Sequence, residues 1–307
     1  MKRPALLRTI VAVCCCAAFL PADGRADFGY DGDLSLRFDD TSDRSSRTQY
    51  RLRLQPRYML DDNWSFHGFI ATGDDFDSAY NTIDDNDDHV YLRRLFARYS
   101  DGDNKIEIGA IPPYKGRVSS TGLSKEGWIR GVRVVRGLRT GAFEVVLGDL
   151  EDLRASRALT SPFDLTYVEV EYSAQINDTW SFEIGGEEIL EDRFVRSEIR
   201  YATQNDAAFA AELIHNTDAG ASKFVLSALK EFSAGATSAE WFTYYTYTSS
   251  EFGPRAELSE DFLEVGHALA TKLEGGFTRF QQLGWFAELE LYEEQSRVKL
   301  GFEVDFP

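Results

Sequence analysis

Runs of about ten residues in which apolar and polar side chains alternate, each ended by Gly, Asn or Asp, recur from residue 27 to the C-terminus. A period of two places successive side chains on opposite faces of a strand, so this pattern excludes a helical fold. Tyr50, Leu52, Leu54, Pro56, Tyr58 and Leu60 form one face of a run whose other face is Arg51, Arg53, Gln55 and Arg57. The last run is as regular, with Val298, Leu300, Phe302, Val304 and Phe306 opposed to Lys299, Glu303 and Asp305. Similarly, Val168, Val170 and Tyr172 oppose Glu169 and Glu171, and Val195, Ile199 and Tyr201 oppose Arg196, Glu198 and Arg200. Trp285, Ala287, Leu289 and Leu291 oppose Glu288 and Glu290. The phase is unreadable between Val90 and Tyr99, where Arg93 and Arg94 are adjacent, and between Trp128 and Arg136.

The connections alternate in length. Short ones hold Asp61-Asp62-Asn63, Asp101-Gly102-Asp103-Asn104, Arg139-Thr140-Gly141, Asn177-Asp178-Thr179, Gln204-Asn205-Asp206 and Gly235-Ala236. Gly, Asn and Asp tolerate the positive φ of tight hairpins. Longer polar loops lie near 73–88, 112–127, 150–162 and 250–262. The spacing predicts about 16 strands, with 14 also compatible. No linker divides residues 27–307, which read as one domain.

Residues 1–26 read as a secretory signal peptide: Lys2, Arg3 and Arg8 precede an apolar run from Ile10 to Leu20, and Gly24-Arg25-Ala26 offers small residues for cleavage after Ala26. Cys14, Cys15 and Cys16 all lie in this leader, so the expected mature chain of 281 residues has no disulfide to rely on. Its formal net charge is -21, from 50 acidic and 29 basic residues. Such an acidic chain is a poor partner for nucleic acid, whose backbone is bound by Lys and Arg.

A soluble sandwich also alternates apolar and polar faces. Three features favour a transmembrane antiparallel up-and-down barrel instead. The meander fills the chain, and a sheet that long removes its edges by closing. Short and long connections take turns, as in barrels with short periplasmic turns and long external loops. Trp64, Trp128, Trp180, Trp241 and Trp285 fall near expected strand ends, where aromatic rings meet the membrane boundary. If the chain enters on the periplasmic side, the Asp61–Asn63 turn lies there and the 73–88 segment lies outside.

The chain resembles the porins and porin-like barrels of Gram-negative outer membranes over nearly all of 27–307. Tyr91-Leu92-Arg93-Arg94-Leu95, and Ile106-Glu107-Ile108-Gly109 followed by Pro112-Pro113, resemble porin strands and the start of an inward-folding loop. Gly301-Phe302-Glu303-Val304-Asp305-Phe306 resembles the family's C-terminal assembly signal, although Pro307 follows the phenylalanine. The resemblance implies outer-membrane localisation, passive diffusion of small hydrophilic solutes and ions, insertion by the barrel-assembly machinery, and a homotrimer.

If apolar side chains face lipid, the charged faces line a wet lumen, since unpaired charges are costly in a dry core. A basic wall is expected from Arg51, Arg53 and Arg57 on the second strand, with Arg94 or Arg93 and Arg98 on the fourth. An acidic wall is expected from Glu169, Glu171 and Glu183 on the eighth and ninth strands, near the opposite side. The two would set up a transverse field, against the plainer reading that these charges only pair with neighbours. The third external loop, with Tyr114, Lys115, Arg117, Lys125 and Glu126, is the candidate constriction; an ordinary surface loop is the alternative. Seven aspartates between 73 and 88, including Asp84, Asp85, Asp87 and Asp88, offer hard oxygen ligands but lack the spacing of a calcium loop, so a solvated acidic loop is favoured. Neither catalytic residues nor a cofactor are expected. His67, His89, His215 and His267 are scattered, and no nucleophile elbow, His-Glu-x-x-His or phosphate loop is present. The acidic balance favours cations at the mouth. The rival readings are a barrel-borne hydrolase, which needs a His, Ser or Asp cluster at one rim, and a soluble exported β-sheet binding protein, which needs a dry apolar interior.

Overall fold

A computed structural model describes residues 27–83, 88–113, 118–119, 121–160, 164–234, 237–261, 263–277 and 279–306, so the expected leader lies outside the described residues. Its strands are β1 (Asp27–Thr41), β2 (Arg44–Met59), β3 (Trp64–Thr72), β4 (Asn81–Thr82), β5 (Val90–Asp101), β6 (Asn104–Ile111), β7 (Ile129–Leu138), β8 (Gly141–Asp149) and β9 (Tyr167–Gln175). They continue with β10 (Trp180–Ile189), β11 (Asp192–Ala202), β12 (Ala207–Asn216), β13 (Ala221–Ala234), β14 (Thr237–Thr248), β15 (Gly266–Phe277), β16 (Phe280–Leu291) and β17 (Ser296–Phe306). Each long strand pairs antiparallel with its sequence neighbours, and β1 pairs with both β2 and β17. The sheet therefore closes on itself as a sixteen-stranded up-and-down barrel. The two-residue β4 is a loop segment laid against Gln49 and Tyr50 of β2. Closure satisfies every ladder without leaving an edge.

The expected strand count and the direction of the pleat both hold. Leu34, Leu36 and Phe38 on β1, Leu213 on β12, and Leu300 and Phe302 on β17 are exposed on the outside. Their polar neighbours Asp33, Ser35, Asp39, Glu212 and Lys299 are buried on the inside. Such an inverted chain is stable where the outer solvent is hydrocarbon. Trp64 and Trp180 open their strands at the end with the tight turns, where they pack at a tilt against Tyr99 and Tyr201 with ring centroids 5.2 and 4.8 Å apart. Trp241 is also exposed. Trp128 departs from the expected belt: it is 1% exposed, inside the barrel mouth, edge-on to Phe76.

The unreadable phase at Arg93 and Arg94 has a local cause. Phe69 of β3 pairs with Arg94 and Ile70 pairs with Leu92, so Arg93 is the extra residue of a β-bulge. A bulge puts two successive side chains on one side of the sheet, and here both guanidiniums turn inward and are buried. Gly109 on β6 has φ +130°, and a Cβ there would lie 2.4 Å from the Leu95 carbonyl oxygen, so the approach of β5 at this point requires glycine.

The long connections gather at one end of the barrel and turn into it. Phe76, Leu123, Trp128, Leu150, Ala155, Phe252 and Leu258 come from four loops and pack with Phe96, Ile111, Tyr167, Phe194 and Ile214 of the wall. The described interior thus holds an apolar cap as well as the charged layer.

Candidate functional site: the lumen

A cavity of about 1630 Å³ is polar and runs along the inner wall formed by β1, β2 and β13–β17. Its lining extends from Asp43 and Arg44 at the loop end to Asp206 and Gln281 at the turn end. On its basic side, β1 and β2 stack their charges in register: Asp33 faces Arg53, and Asp39 faces Arg47. Arg51 donates to Asp33 at 3.0 Å and also to Glu303. Arg53 donates to Asp33 at 2.5 Å and to Glu126 at 2.9 Å. Higher up, Asp39 accepts from Arg44 at 3.2 Å, Arg47 at 2.9 Å and Arg297 at 2.7 Å. Arg37 lies over the Tyr80 ring at 3.6 Å. Farther round the same wall, Glu231, Glu240 and Glu274 are paired side by side across β13, β14 and β15 and also line the cavity.

The third long-range segment, 112–128, folds into the barrel. Arg94 donates to the Gly127 carbonyl at 2.6 Å and to that of Lys125, while Arg93 donates to five backbone carbonyls: Thr72, Gly73, Ser78, Asp75 and Glu126. The two bulge arginines therefore clamp two loops to the wall. Lys125 and Glu126 line the cavity. Burial works to raise the Glu126 carboxyl, but Arg53, Arg51, Lys125 and Arg94 outweigh it and hold it below the usual carboxylate value. Tyr114, Lys115 and Arg117 lie outside the described residues.

The other expected wall residues occupy different places. Arg57 is exposed toward the turn end, and Arg98 pairs with Glu107 at 2.7 Å; neither lines the large cavity. Glu169, Glu171 and Glu183 sit on the opposite, filled side of the interior. There Arg196 of β11 donates to Glu171 and, at 2.9 Å, to Glu183. Its guanidinium also lies 3.3 Å from Glu187, 3.6 Å from Glu169 and 3.9 Å from Glu212. The sequence showed Arg196 on the inner face of its strand, but not that five glutamates from three other strands converge on it. Asp84, Asp85 and Asp87 lie outside the described residues, and Asp88 accepts from the Tyr50 hydroxyl at 2.7 Å. Among the described residues, no group of three His, Cys, Asp or Glu side chains could hold a metal. Two histidine–serine contacts among the described residues bear on a hydrolase reading: His215 Nδ1 lies 3.0 Å from Ser222 Oγ near the loop end, and His67 Nε2 lies 2.9 Å from Ser65 Oγ near the turn end.

No protein-family model and no curated protein matches the sequence. Solved structures do resemble the chain. A triple mutant of Rhodopseudomonas blastica porin is 11% identical with a TM-score of 0.61, covering 91% of this chain and 100% of its own. Two further variants of that porin, at 11% and 12% identity, have TM-scores of 0.62 and 0.61 over the same shares. Likeness at this identity speaks for architecture alone. The chain has the porin fold: a closed sixteen-stranded transmembrane barrel whose third loop turns into the lumen.

Proposed function

We propose that the protein is an outer-membrane, porin-like channel for passive diffusion of small hydrophilic solutes and ions, with a preference for cations. The observation that carries this reading is the charged cavity whose lining reaches both ends of the barrel. No chemistry is required of such a channel, because width and wall charge set what passes. Among the described residues, sixteen carboxylates and nine Lys or Arg side chains line the cavity, an imbalance that concentrates cations. Arg51 and Arg53 act as the basic wall of the transverse field, with Glu126 of the third loop as the constricting contact. Glu231, Glu240 and Glu274 supply the acidic wall. Insertion through the C-terminal strand by the assembly machinery, and trimerisation, follow from the resemblance.

Planar-bilayer recording in KCl tests the reading. Stepwise channels are expected, with a reversal potential in a salt gradient of the sign for K⁺ preference. Replacing both Arg51 and Arg53 by alanine should move that potential further toward K⁺, because Asp33, Glu126 and Glu303 then face the lumen uncompensated. An assembled barrel without conductance would refute the channel, and an unmoved reversal potential would refute the role of the two arginines.

A further inference from the structure

The connection between β14 and β15 enters the barrel beside the third loop, and the two are fastened together. Its short helix α1 (Arg255–Leu258) carries Arg255, which is 1% exposed. Arg255 donates from Nε and Nη2 to the two carboxylate oxygens of Glu187 on β10, each at 3.1 Å, and from Nη1 to the Thr121 carbonyl at 2.8 Å. One residue thus ties the β14–β15 loop, the third loop and the far wall. The loops also pair as a miniature ladder: Ser124 N donates to Leu258 O and Glu260 N to Gly122 O, both at 2.9 Å, around the bridge between Leu123 and Ser259. Lys125 Nζ lies 3.0 Å from Glu260, and Lys223 of β13 holds Asp261 at 2.8 Å with both side chains fully buried. Leu123, Leu258, Phe252 and Trp128 close the apolar cap around this junction.

We propose that the β14–β15 loop and the third loop form one composite constriction, with Arg255 as the residue that positions it. The inference rests on the channel reading above. Lys125 and Glu126, which border the cavity, are adjacent to the bridged Leu123 and Ser124, so whatever fixes the bridge fixes the width of the passage. Arg255 is not itself one of the residues lining the cavity and acts through the third loop. A bidentate guanidinium–carboxylate pair is suited to this, because its planar fork fixes direction as well as distance. Without it, the third loop would keep its anchors to Arg93 and Arg94 and the bonds of Ser119 and Thr121 to Glu212, but lose the tie that joins Thr121 and the β14–β15 loop to Glu187.

The test is single-channel recording of the mature protein with and without Arg255→Ala. Wild type should show one steady level. The variant should lose that level and show several larger ones with frequent transitions. Leu123 and Ser259 form a non-hydrogen-bonded antiparallel pair, whose Cα atoms lie about 4.5 Å apart in such ladders, within the range a disulfide spans. Cysteines at both positions, added to Arg255→Ala, should restore the steady level when oxidised and lose it when reduced. A merely structural weakening of the barrel would not follow this redox change. If Arg255→Ala does not assemble, Arg255→Lys, which keeps the charge but not the fork, is read in the same way. An assembled variant with the wild-type level and noise would overturn the positioning role while leaving the channel intact. Absence of conductance in the wild type would overturn both.

Discussion

Replacing Arg196 by methionine should destabilise the barrel by about 3–5 kcal/mol, the cost typical of removing one partner from a buried ion pair. Arg196 is 2% exposed and lies within 4 Å of Glu169, Glu171, Glu183, Glu187 and Glu212. Methionine fills a similar volume, so the loss is electrostatic: five carboxylates of the same wall lose the cation at their centre. Arg200 and Arg255, which hold Glu183, Glu198 and Glu187, cannot move to replace it without leaving their own partners. Urea unfolding of the barrel in lipid vesicles should show a lower midpoint with an unchanged slope, which marks lost stability rather than altered compactness. As a contrast, Arg154→Ala should have no measurable effect, since its pair with Asp152 is solvent-exposed. A midpoint for Arg196→Met equal to wild type would mean that the glutamates are hydrated by an open lumen on that side.

The second large effect is expected on the opposite face of the sheet. Leu213 lies near the middle of β12, 48% exposed, between outward neighbours on β11 and β13. On a water-soluble surface, leucine to arginine at such a site changes stability by no more than about 0.5 kcal/mol. On the lipid face of a barrel at mid-depth the same change costs about 2–4 kcal/mol, because the guanidinium must be carried into hydrocarbon. Leu213→Arg therefore discriminates between the two solvents by magnitude. The same unfolding assay in vesicles should report a loss in the higher range, and Leu213→Ala a much smaller one. Near-neutral behaviour of Leu213→Arg would place this face in water.

What could be read from the sequence was whatever depends on a strand alone. In β2 and β17 the alternation is unbroken, so inside and outside follow from parity: Arg51 and Arg53 inward, Leu300 and Phe302 outward. The tight turns were legible for the same reason, since their residues are chosen by local backbone geometry. Arg93 and Arg94 were not, because a bulge shifts the parity and leaves no mark in composition. Trp128 reads as a boundary tryptophan from its place at a strand start, yet its ring is taken up by Phe76 from another loop. The acidic wall shows the same limit. Parity put Glu169, Glu171 and Glu183 inside, but it cannot reveal that Arg196 gathers them, or that two inward loops shift the open passage toward Glu231, Glu240 and Glu274. Contacts between elements distant in sequence decide the site, and periodicity carries no information on those.

Cysteine substitution along β17 tests the whole account most directly. With single cysteines placed in turn at 298, 299, 300, 302, 303 and 304, and the barrel in vesicles, a charged thiol reagent should react at 299 and 303 and reduce K⁺ flux there. It should leave 298, 300, 302 and 304 untouched. Reaction at the even positions, or at all six alike, would mean that the apolar flank meets water and the charged flank encloses no passage.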